Sequence, residues 1–323
     1  MASLAVLALV SACGGTDKAA EKNGVTEVKV ALIPSATKAV FYLALEKGYF
    51  TSRGLDVTPV PLQDGAAVTA AVTSGDAQIG AQALAPAVTA VSKGVPLKAF
   101  AGDETAPRPA SDKAPYGDAV VLVRKGSPIK SAADLNGKTV AVNALRAGVE
   151  LALRGALDTA GADSASVKML PLPFPDMQTA LDGGRVDAIA ALEPFVQVGI
   201  NAGSEVLLNT FPYPADTGVD DFLASLWFSS TNYAGANPRV LEKFRAALAQ
   251  AGEDVVKNPE EVGRILPTFT KITPEAAKNV WVAEWSATID PEAYDAAVDL
   301  MVKYKFIDEA VPLKQFATAD SYQ

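Results

Sequence analysis

One cation in the sequence stands where the chain could bind an anion. Arg146 lies in the segment Asn143-Ala-Leu-Arg146, between a buried strand predicted over 138–142 and a helix predicted over 148–159. The free N–H groups and the positive end of a helix attract anions, and a guanidinium donates to a carboxylate or sulfonate in a bidentate manner. We therefore expect Arg146 to contact a ligand; the alternatives are a surface position or an ion pair between lobes. Asn143 can either cap this helix or bind the ligand.

Aromatic and acidic side chains provide further candidates. Flat apolar rings can wall a cleft and sandwich a planar ligand, and the same rings also fit a core. The aromatic candidates are Phe41, Phe174, Phe195 and Trp227. Asp64, in Gln63-Asp64-Gly65, either caps the helix predicted over 66–74 or contacts the ligand.

The composition excludes several kinds of chemistry. The chain has 323 residues, no histidine and one cysteine. It therefore lacks the residues for a His/Cys zinc site, a Ser-His-Asp or Cys-His catalytic group, or an intramolecular disulfide. Lys and Arg total 28 against 37 Asp and Glu, a formal charge of −9, which argues against nucleic acid as the main partner. The P-loop motif is absent, and we expect no metal, no cofactor and no catalytic residue.

These candidates need a scaffold, which the hydrophobic pattern predicts. Residues 27–101 alternate between short apolar strands and helices, which is typical of a mostly parallel sheet covered by helices. A segment with three prolines, 105–117, follows, and the alternation restarts over 119–210. One more strand is predicted over 222–230, and the chain from Pro238 onward is rich in helix. We predict an α/β protein with two lobes and a ligand cleft between them, the lobes being residues 27–115 plus 222–323 and residues 116–221.

The N-terminal segment indicates export and anchoring at a membrane. Residues 1–12 form an apolar run too short to span a bilayer, which takes about 20 residues, and they resemble a secretory signal peptide without its positively charged start. Val10-Ser-Ala-Cys13 resembles the bacterial lipobox, so Cys13 is the predicted lipidation site. Residues 13–26 are small and polar and predict a flexible tether. A lipid on Cys13 would hold the protein at the bacterial cell membrane; the alternative is a stray thiol in a disordered start.

Several stretches, in order along the chain, resemble one protein family. They are Ala44–Phe50 with Gly54–Val57, Ile129–Val142, Leu172–Ala188, Glu193–Phe195 and Asn237-Pro238. The chain resembles the substrate-binding proteins of ABC importers, in the branch with nitrate-, sulfonate-, taurine- and thiamine-pyrimidine-binding members. The resemblance implies a two-lobed periplasmic-binding-protein-like fold of type II, which closes on a small ligand and docks on a membrane permease.

The same resemblance implies where the site lies. The turn that carries Ser35 and the turn that carries Gln82 and Leu84 would face the cleft. A Gln amide both donates and accepts, whereas Ser35 could instead cap the next helix. In pyrimidine-binding members an acidic group accepts a hydrogen bond from a ring amine, and Glu193 is the candidate here. Its alternative role is a hinge or helix-start contact before Pro194.

We expect an extracytoplasmic lipoprotein that binds without turnover and captures a small organic anion, such as an aromatic carboxylate or a sulfonate, by lobe closure. A neutral or cationic amino-heterocycle, such as a thiamine pyrimidine precursor, is the alternative ligand. A ligand-sensing lipoprotein or an enzyme on the same fold is the alternative of another class. The expected partners are the solute, the permease and ATPase subunits and the membrane; we expect no nucleic acid, and a monomer.

Overall fold

The computed structural model describes residues 19, 21–22, 24–105, 119–210, 223–280 and 284–322. The predicted signal peptide over 1–12 and the predicted lipidation site Cys13 lie outside these residues, as does most of the tether predicted over 13–26. The predicted lobe boundaries, after residues 115 and 221, also lie outside them. These assignments therefore stay predictions.

The strands of the described residues are short, and most of them belong to two sheets. They are β1 (Glu21–Lys22), β2 (Val25–Leu32), β3 (Leu55–Pro61), β4 (Ile79–Ala83), β5 (Leu97–Gly102), β6 (Glu104–Thr105), β7 (Ala119–Val123), β8 (Thr139–Val142), β9 (Lys168–Pro171), β10 (Ala188–Leu192), β11 (Glu205–Asn209), β12 (Ser225–Ser230) and β13 (Glu284–Trp285).

Helices connect and cover these strands. They are α1 (Ala39–Glu46), α2 (Gly65–Ser74), α3 (Leu84–Ser92), α4 (Gly148–Thr159), α5 (Phe174–Asp182), α6 (Phe195–Asn201), α7 (Thr231–Ala236), α8 (Pro238–Lys257), α9 (Glu260–Phe269), α10 (Pro274–Ala277), α11 (Pro291–Lys303) and α12 (Leu313–Phe316), with 3₁₀ turns at Ala36–Lys38, Thr51–Arg53 and Ala132–Leu135. In the part of the chain that the structure describes, no helix is long and apolar enough to cross a membrane.

The first sheet combines parallel strands from the start of the chain with one strand from much later. β2 pairs in parallel with β3 and β4, and β12 runs antiparallel between β4 and β5. β2 alternates between buried and exposed positions before it becomes fully buried at its end, as expected for a strand that enters a sheet covered on both faces. β12 therefore returns the chain to the sheet that β2–β5 began.

The second sheet lies within 119–209, in the order β11-β7-β10-β8-β9. β8 pairs in parallel with β9 and β10, whereas β7 runs antiparallel to β10 and β11. β7 is buried at every position, which suits a central strand. The 3₁₀ turn over Ala132–Leu135 is capped at its start, because Asp134 Oδ2 accepts hydrogen bonds from the Ser131 N–H and hydroxyl at 2.9 Å.

The strands and helices predicted over 27–101 and 119–191 are all present, with ends shifted by a residue or two. Strand β11 carries no pattern strong enough to predict it, because its residues are exposed or only partly buried. Each sheet packs its own apolar clusters, but Leu151 of α4 packs into the core beside the first sheet, with Leu84 and Tyr294. Each sheet with the helices that cover it forms one half of the fold, and helix α4 therefore joins the two halves.

Candidate functional site

A cavity of about 320 Å³ lies between the two sheets. Its walls come from the residues that directly follow β2, β4, β8 and β10. These are the carboxyl ends of the parallel strands, where open α/β sheets bind ligands. The cavity therefore occupies the position at which the sequence predicts a ligand cleft.

Eight of the predicted ligand-binding residues line this cavity, and three do not. Those that line it are Ser35, Asp64, Gln82, Asn143, Arg146, Phe174, Glu193 and Phe195. The residues that do not line it, Phe41, Leu84 and Trp227, are at most 2% exposed. Phe41 packs against Trp227 with ring centroids 5.5 Å apart, and Leu84 joins the apolar cluster around Leu151. These three side chains complete cores behind the cavity, and the structure gives no support to their predicted ligand contact.

The guanidinium of Arg146 points to the opposite half of the fold. Its Nη2 donates to the backbone carbonyls of Lys305 and Phe306, each at 2.6 Å. The backbone of Arg146 has a φ of 57°, and its N–H donates to Glu150 Oε2 at 2.7 Å. The turn that Arg146 closes lines the cavity, while the charged group itself bridges the two halves. An ion pair between lobes was one predicted alternative for Arg146. The guanidinium does connect the two halves, but its partners are backbone carbonyls and not a carboxylate.

Asn143 is the polar residue at the end of β8. Its Oδ1 is buried and has no hydrogen-bond partner among the described residues, and the side chain lines the cavity. A buried acceptor without a partner carries a desolvation cost of about 1–3 kcal/mol. A ligand N–H at this position would satisfy it. Of the two predicted roles, helix cap or ligand contact, this geometry favours ligand contact.

Glu193 directly follows β10 and is 1% exposed. Its Oε2 accepts from the backbone N–H of Gln197 at 3.2 Å, within the first turn of α6. Its carbonyl accepts from the N–H of Ala36, across the cleft, at 3.4 Å. Both contacts match the predicted alternative of a hinge and helix-start position, and the carboxylate also forms part of the cavity wall.

Two aromatic rings line the same cavity as Glu193. Phe174 and Phe195 are stacked, with centroids 5.4 Å apart and planes 14° apart. Both line the cavity and both are partly exposed. This pair offers a flat apolar surface of the kind that planar rings pack against.

The remaining predicted residues are held by local hydrogen bonds. Asp64 caps α2, because its Oδ1 accepts from the Ala67 N–H at 2.8 Å. The Ser35 hydroxyl lies 2.9 Å from that of Thr37 and does not cap the following turn. Gln82 is buried, and its Nε2 donates to Thr69 Oγ1 at 3.0 Å. Asp64 thus has its predicted role as a helix cap and also lines the cavity; its contact with a ligand stays a prediction.

Sequence reasoning missed a buried ion pair beneath the cavity. Lys38 lines the cavity and pairs with Asp103, and both residues are almost fully buried. Asp103 also accepts from Ser225 Oγ at 2.5 Å and Trp227 Nε1 at 2.9 Å, and from Trp285 Nε1 at 3.2 Å. The signal was available: Asp103 follows an apolar strand directly, where a charge needs a partner.

The wall of the cavity carries charges of both signs. Its two cations have acceptors within the protein, since Lys38 is paired with Asp103 and Arg146 binds backbone carbonyls. Its acidic residues are Asp64, Glu104 and Glu193. In the described residues no group of His, Cys, Asp and Glu could hold a metal ion. Acidic side chains therefore outnumber cations in the wall.

Comparison with known proteins agrees with this architecture. The family described as NMT1/THI5 like matches residues 35–262. The formylaminopyrimidine-binding protein of Halalkalibacterium halodurans is 27% identical over 273 residues, which cover 82% of this chain and 76% of that protein. An Escherichia coli protein named for binding aliphatic sulfonates is 28% identical over 207 residues, covering 64% of this chain and 59% of that protein.

Among solved structures, the alkanesulfonate-binding protein SsuA of Xanthomonas axonopodis pv. citri, bound to MOPS, superimposes with a TM-score of 0.75. The match covers 93% of this chain and 99% of that one, at 19% identity, and it establishes the fold. The family match covers well over half of the chain and confirms the resemblance that the sequence motifs predict. The chain therefore belongs to the NMT1/THI5-like family and has the two-lobed fold of the periplasmic binding proteins.

Proposed function

We propose that this protein is the extracytoplasmic substrate-binding component of an ABC importer and that it captures a neutral or cationic amino-heterocycle of the aminopyrimidine class. The observation that carries the proposal is the buried carboxylate of Glu193 beside the stacked rings of Phe174 and Phe195. The rings offer a face for a planar heterocycle, and the carboxylate accepts from an exocyclic amine. Asn143 Oδ1 provides a second acceptor on the adjoining wall.

This proposal replaces the organic anion that the sequence analysis favours. An anion needs a donor that is free when the ligand arrives, and the guanidinium of Arg146 is already bound to two carbonyls. Lys38 is neutralised by Asp103. Anion binding would also place a second negative charge beside Glu193 in a largely buried site, where like charges repel strongly.

The relatives support the same ligand class. The alignment with the formylaminopyrimidine-binding protein covers 76% of that relative. The alignment with the protein named for sulfonate binding covers 59% of that relative. Both are named as binding proteins, so we propose capture and delivery without turnover. A sensing role, with a receptor in place of the permease, remains the second candidate of the sequence analysis and has no specific observation in its favour.

We further propose that Cys13 carries the lipid anchor and that the protein acts as a monomer with permease and ATPase subunits. Release of the solute to the permease then requires the two lobes to separate, as in other proteins that close on a ligand. Labelling with radioactive palmitate, abolished by Cys13→Ser, tests the anchor; persistence of the label in the variant would refute it.

The ligand assignment is tested by calorimetry of the purified protein with 4-amino-5-hydroxymethyl-2-methylpyrimidine and with an aliphatic sulfonate. We expect binding of the pyrimidine only. Glu193→Gln should weaken it at least tenfold, because an uncharged amide accepts less strongly from the amine. The matched control is Glu205→Gln, an exposed carboxylate of the same half of the fold, which should bind normally. Binding of the sulfonate alone would overturn the assignment.

A further inference from the structure

A second cavity, of about 450 Å³, adjoins the one described above. We refer to it as the outer chamber. The two cavities share part of their walls, namely Ile33, Pro34, Asp64, Asn143, Ala144, Phe174 and Phe195. The stacked rings and the unpartnered Asn143 oxygen therefore border both spaces. A ligand seated against the rings therefore lies next to the outer chamber.

The walls of the outer chamber are mainly apolar and come from both halves of the fold. Met177 and Val198 lie on one side, and Leu62, Phe269 and Ile272 on the other. Phe269 is fixed in place, because its ring stacks on Tyr42 with centroids 3.9 Å apart and planes 8° apart. Val198 is 41% exposed. Such a surface gains free energy when a ligand covers it.

The polar groups of this chamber differ in whether they are available. The Gln178 amide already donates to Asp182 and Ser204. The Thr270 hydroxyl donates to a backbone carbonyl at 2.7 Å. Lys271 lies at the rim, and its ammonium makes no ion pair or hydrogen bond with any residue that the structure describes. The outer chamber thus combines an apolar wall with the cation of Lys271, in addition to the Asp64 and Asn143 that it shares with the inner cavity.

We propose that the outer chamber is a second subsite of the same ligand. It takes an apolar, planar substituent carried by the heterocycle and ending in an anionic group near Lys271. This inference rests on the proposed function, because the heterocycle must first occupy the inner cavity. The shared wall argues for one two-part ligand, because a group bound in one space lies beside the other.

Three probes test the proposal on the full-length protein by calorimetry. They are 4-amino-2-methylpyrimidine, its 5-benzyl derivative and its 5-(4-carboxybenzyl) derivative. We expect the benzyl group to tighten binding about tenfold or more, through burial of apolar area. The carboxylate should add about a further twofold to fivefold.

Variants of the wall residues show which side chains of the outer chamber provide the gain in binding affinity. Lys271→Gln should remove only the carboxylate's contribution, whereas Lys314→Gln, an exposed lysine on α12, should leave it intact. Phe269→Ala should remove most of the benzyl contribution while the parent pyrimidine binds as before. Val198→Ser, at a partly exposed wall position, gives a second variant that disturbs no buried packing, and it should reduce the benzyl contribution.

The outcomes separate this inference from the function on which it rests. If the pyrimidine binds but the benzyl group adds nothing, or if its gain survives both wall variants, the outer chamber is not a subsite and the proposed function stands. If none of the probes binds, the proposed function fails and the second subsite fails with it.

Discussion

Arg146 Nη2 donates to the carbonyl of Lys305 at 2.6 Å, and this bond joins the two non-glycine residues of the described chain that have a positive φ, 57° and 62°. Such backbone conformations are unfavourable for residues with a Cβ and persist where the surroundings hold them. The same Nη2 binds the carbonyl of Phe306, and the guanidinium lies 5.8 Å from the Phe306 ring. We call this arrangement the Arg146 clasp, because it connects the loop that lines the cavity to the segment after α11.

Arg146→Asn should weaken the contact between the two halves of the fold without unfolding the protein. Asparagine tolerates a positive φ, but its side chain is too short to reach the carbonyls across the cleft. We expect ligand binding to weaken by about threefold to tenfold, the value of one or two hydrogen bonds. Calorimetry gives the affinity, and small-angle scattering should report a larger radius of gyration for the ligand-free variant.

Arg124→Asn is the matched control for the clasp. Its Nη1 also donates to a backbone carbonyl, that of Leu181, at 2.8 Å, but both residues belong to the same half of the fold. This variant should bind ligand normally. An equal loss of affinity in the two variants would show that the clasp has no special role in closure.

Asn143→Leu should separate binding from stability. The buried Oδ1 has no partner in the described structure, so an apolar side chain of similar size removes a desolvation cost. We expect the ligand-free variant to have a Tm equal to or above that of the wild type, with ligand affinity at least fivefold weaker. Thermal melts with and without ligand measure both effects. A large fall of the Tm without ligand would contradict this role.

Removing one charge of the buried Lys38–Asp103 pair should destabilise the protein more than removing both. Asp103→Asn leaves a buried ammonium without its counter-charge, so we expect the free energy of unfolding to fall by about 3–5 kcal/mol. The double variant Lys38→Met with Asp103→Asn removes both charges and should recover much of that loss. Urea denaturation of the two variants and the wild type measures it. Equal losses in the single and double variants would rule out charge burial as the cause.

Asp158 should make the contact between α4 and α11 sensitive to acid. Partial burial raises the pKa of Asp158, but hydrogen bonds from Ser164 and Tyr304 outweigh that effect and hold the pKa below its ordinary value. Tyr304 donates to Asp158 Oδ2 at 2.8 Å. Since the pKa is lowered on folding, the carboxylate stabilises the protein above the unfolded pKa of about 3.9, and this contribution is lost as the pH falls through the lower, folded pKa.

The expected result is a shallower acid dependence of the Tm for Asp158→Asn than for the wild type below about pH 4. Asp56→Asn, an exposed position in β3, serves as the control and should follow the wild-type curve. Identical acid profiles of the wild type and Asp158→Asn would show that this contact contributes nothing to the pH dependence.

The sequence predicts the elements better than it predicts the directions of side chains. The limits of α4 were predicted without error, because apolar spacing and a glycine start mark them. The turn that carries Arg146 was also placed at the cavity, but which way its guanidinium points depends on carbonyls 159 residues or more away. Trp227 was expected in the cleft for its flat ring, yet its Nε1 is taken up by Asp103, a residue far away in the sequence. Contacts between residues so far apart in the sequence produce no local pattern from which they could be predicted.

The close approach of the two halves beside Gly148 affects which ligands can be enclosed. A Cβ on Gly148 would lie 2.9 Å from the Cβ of Ala83, closer than real Cβ contacts allow. A residue with a side chain at position 148 would therefore keep the two halves farther apart than they lie in this structure. The absence of a side chain there sets how closely the start of α4 approaches β4 beside the cavity, and with it the width that is left for a ring.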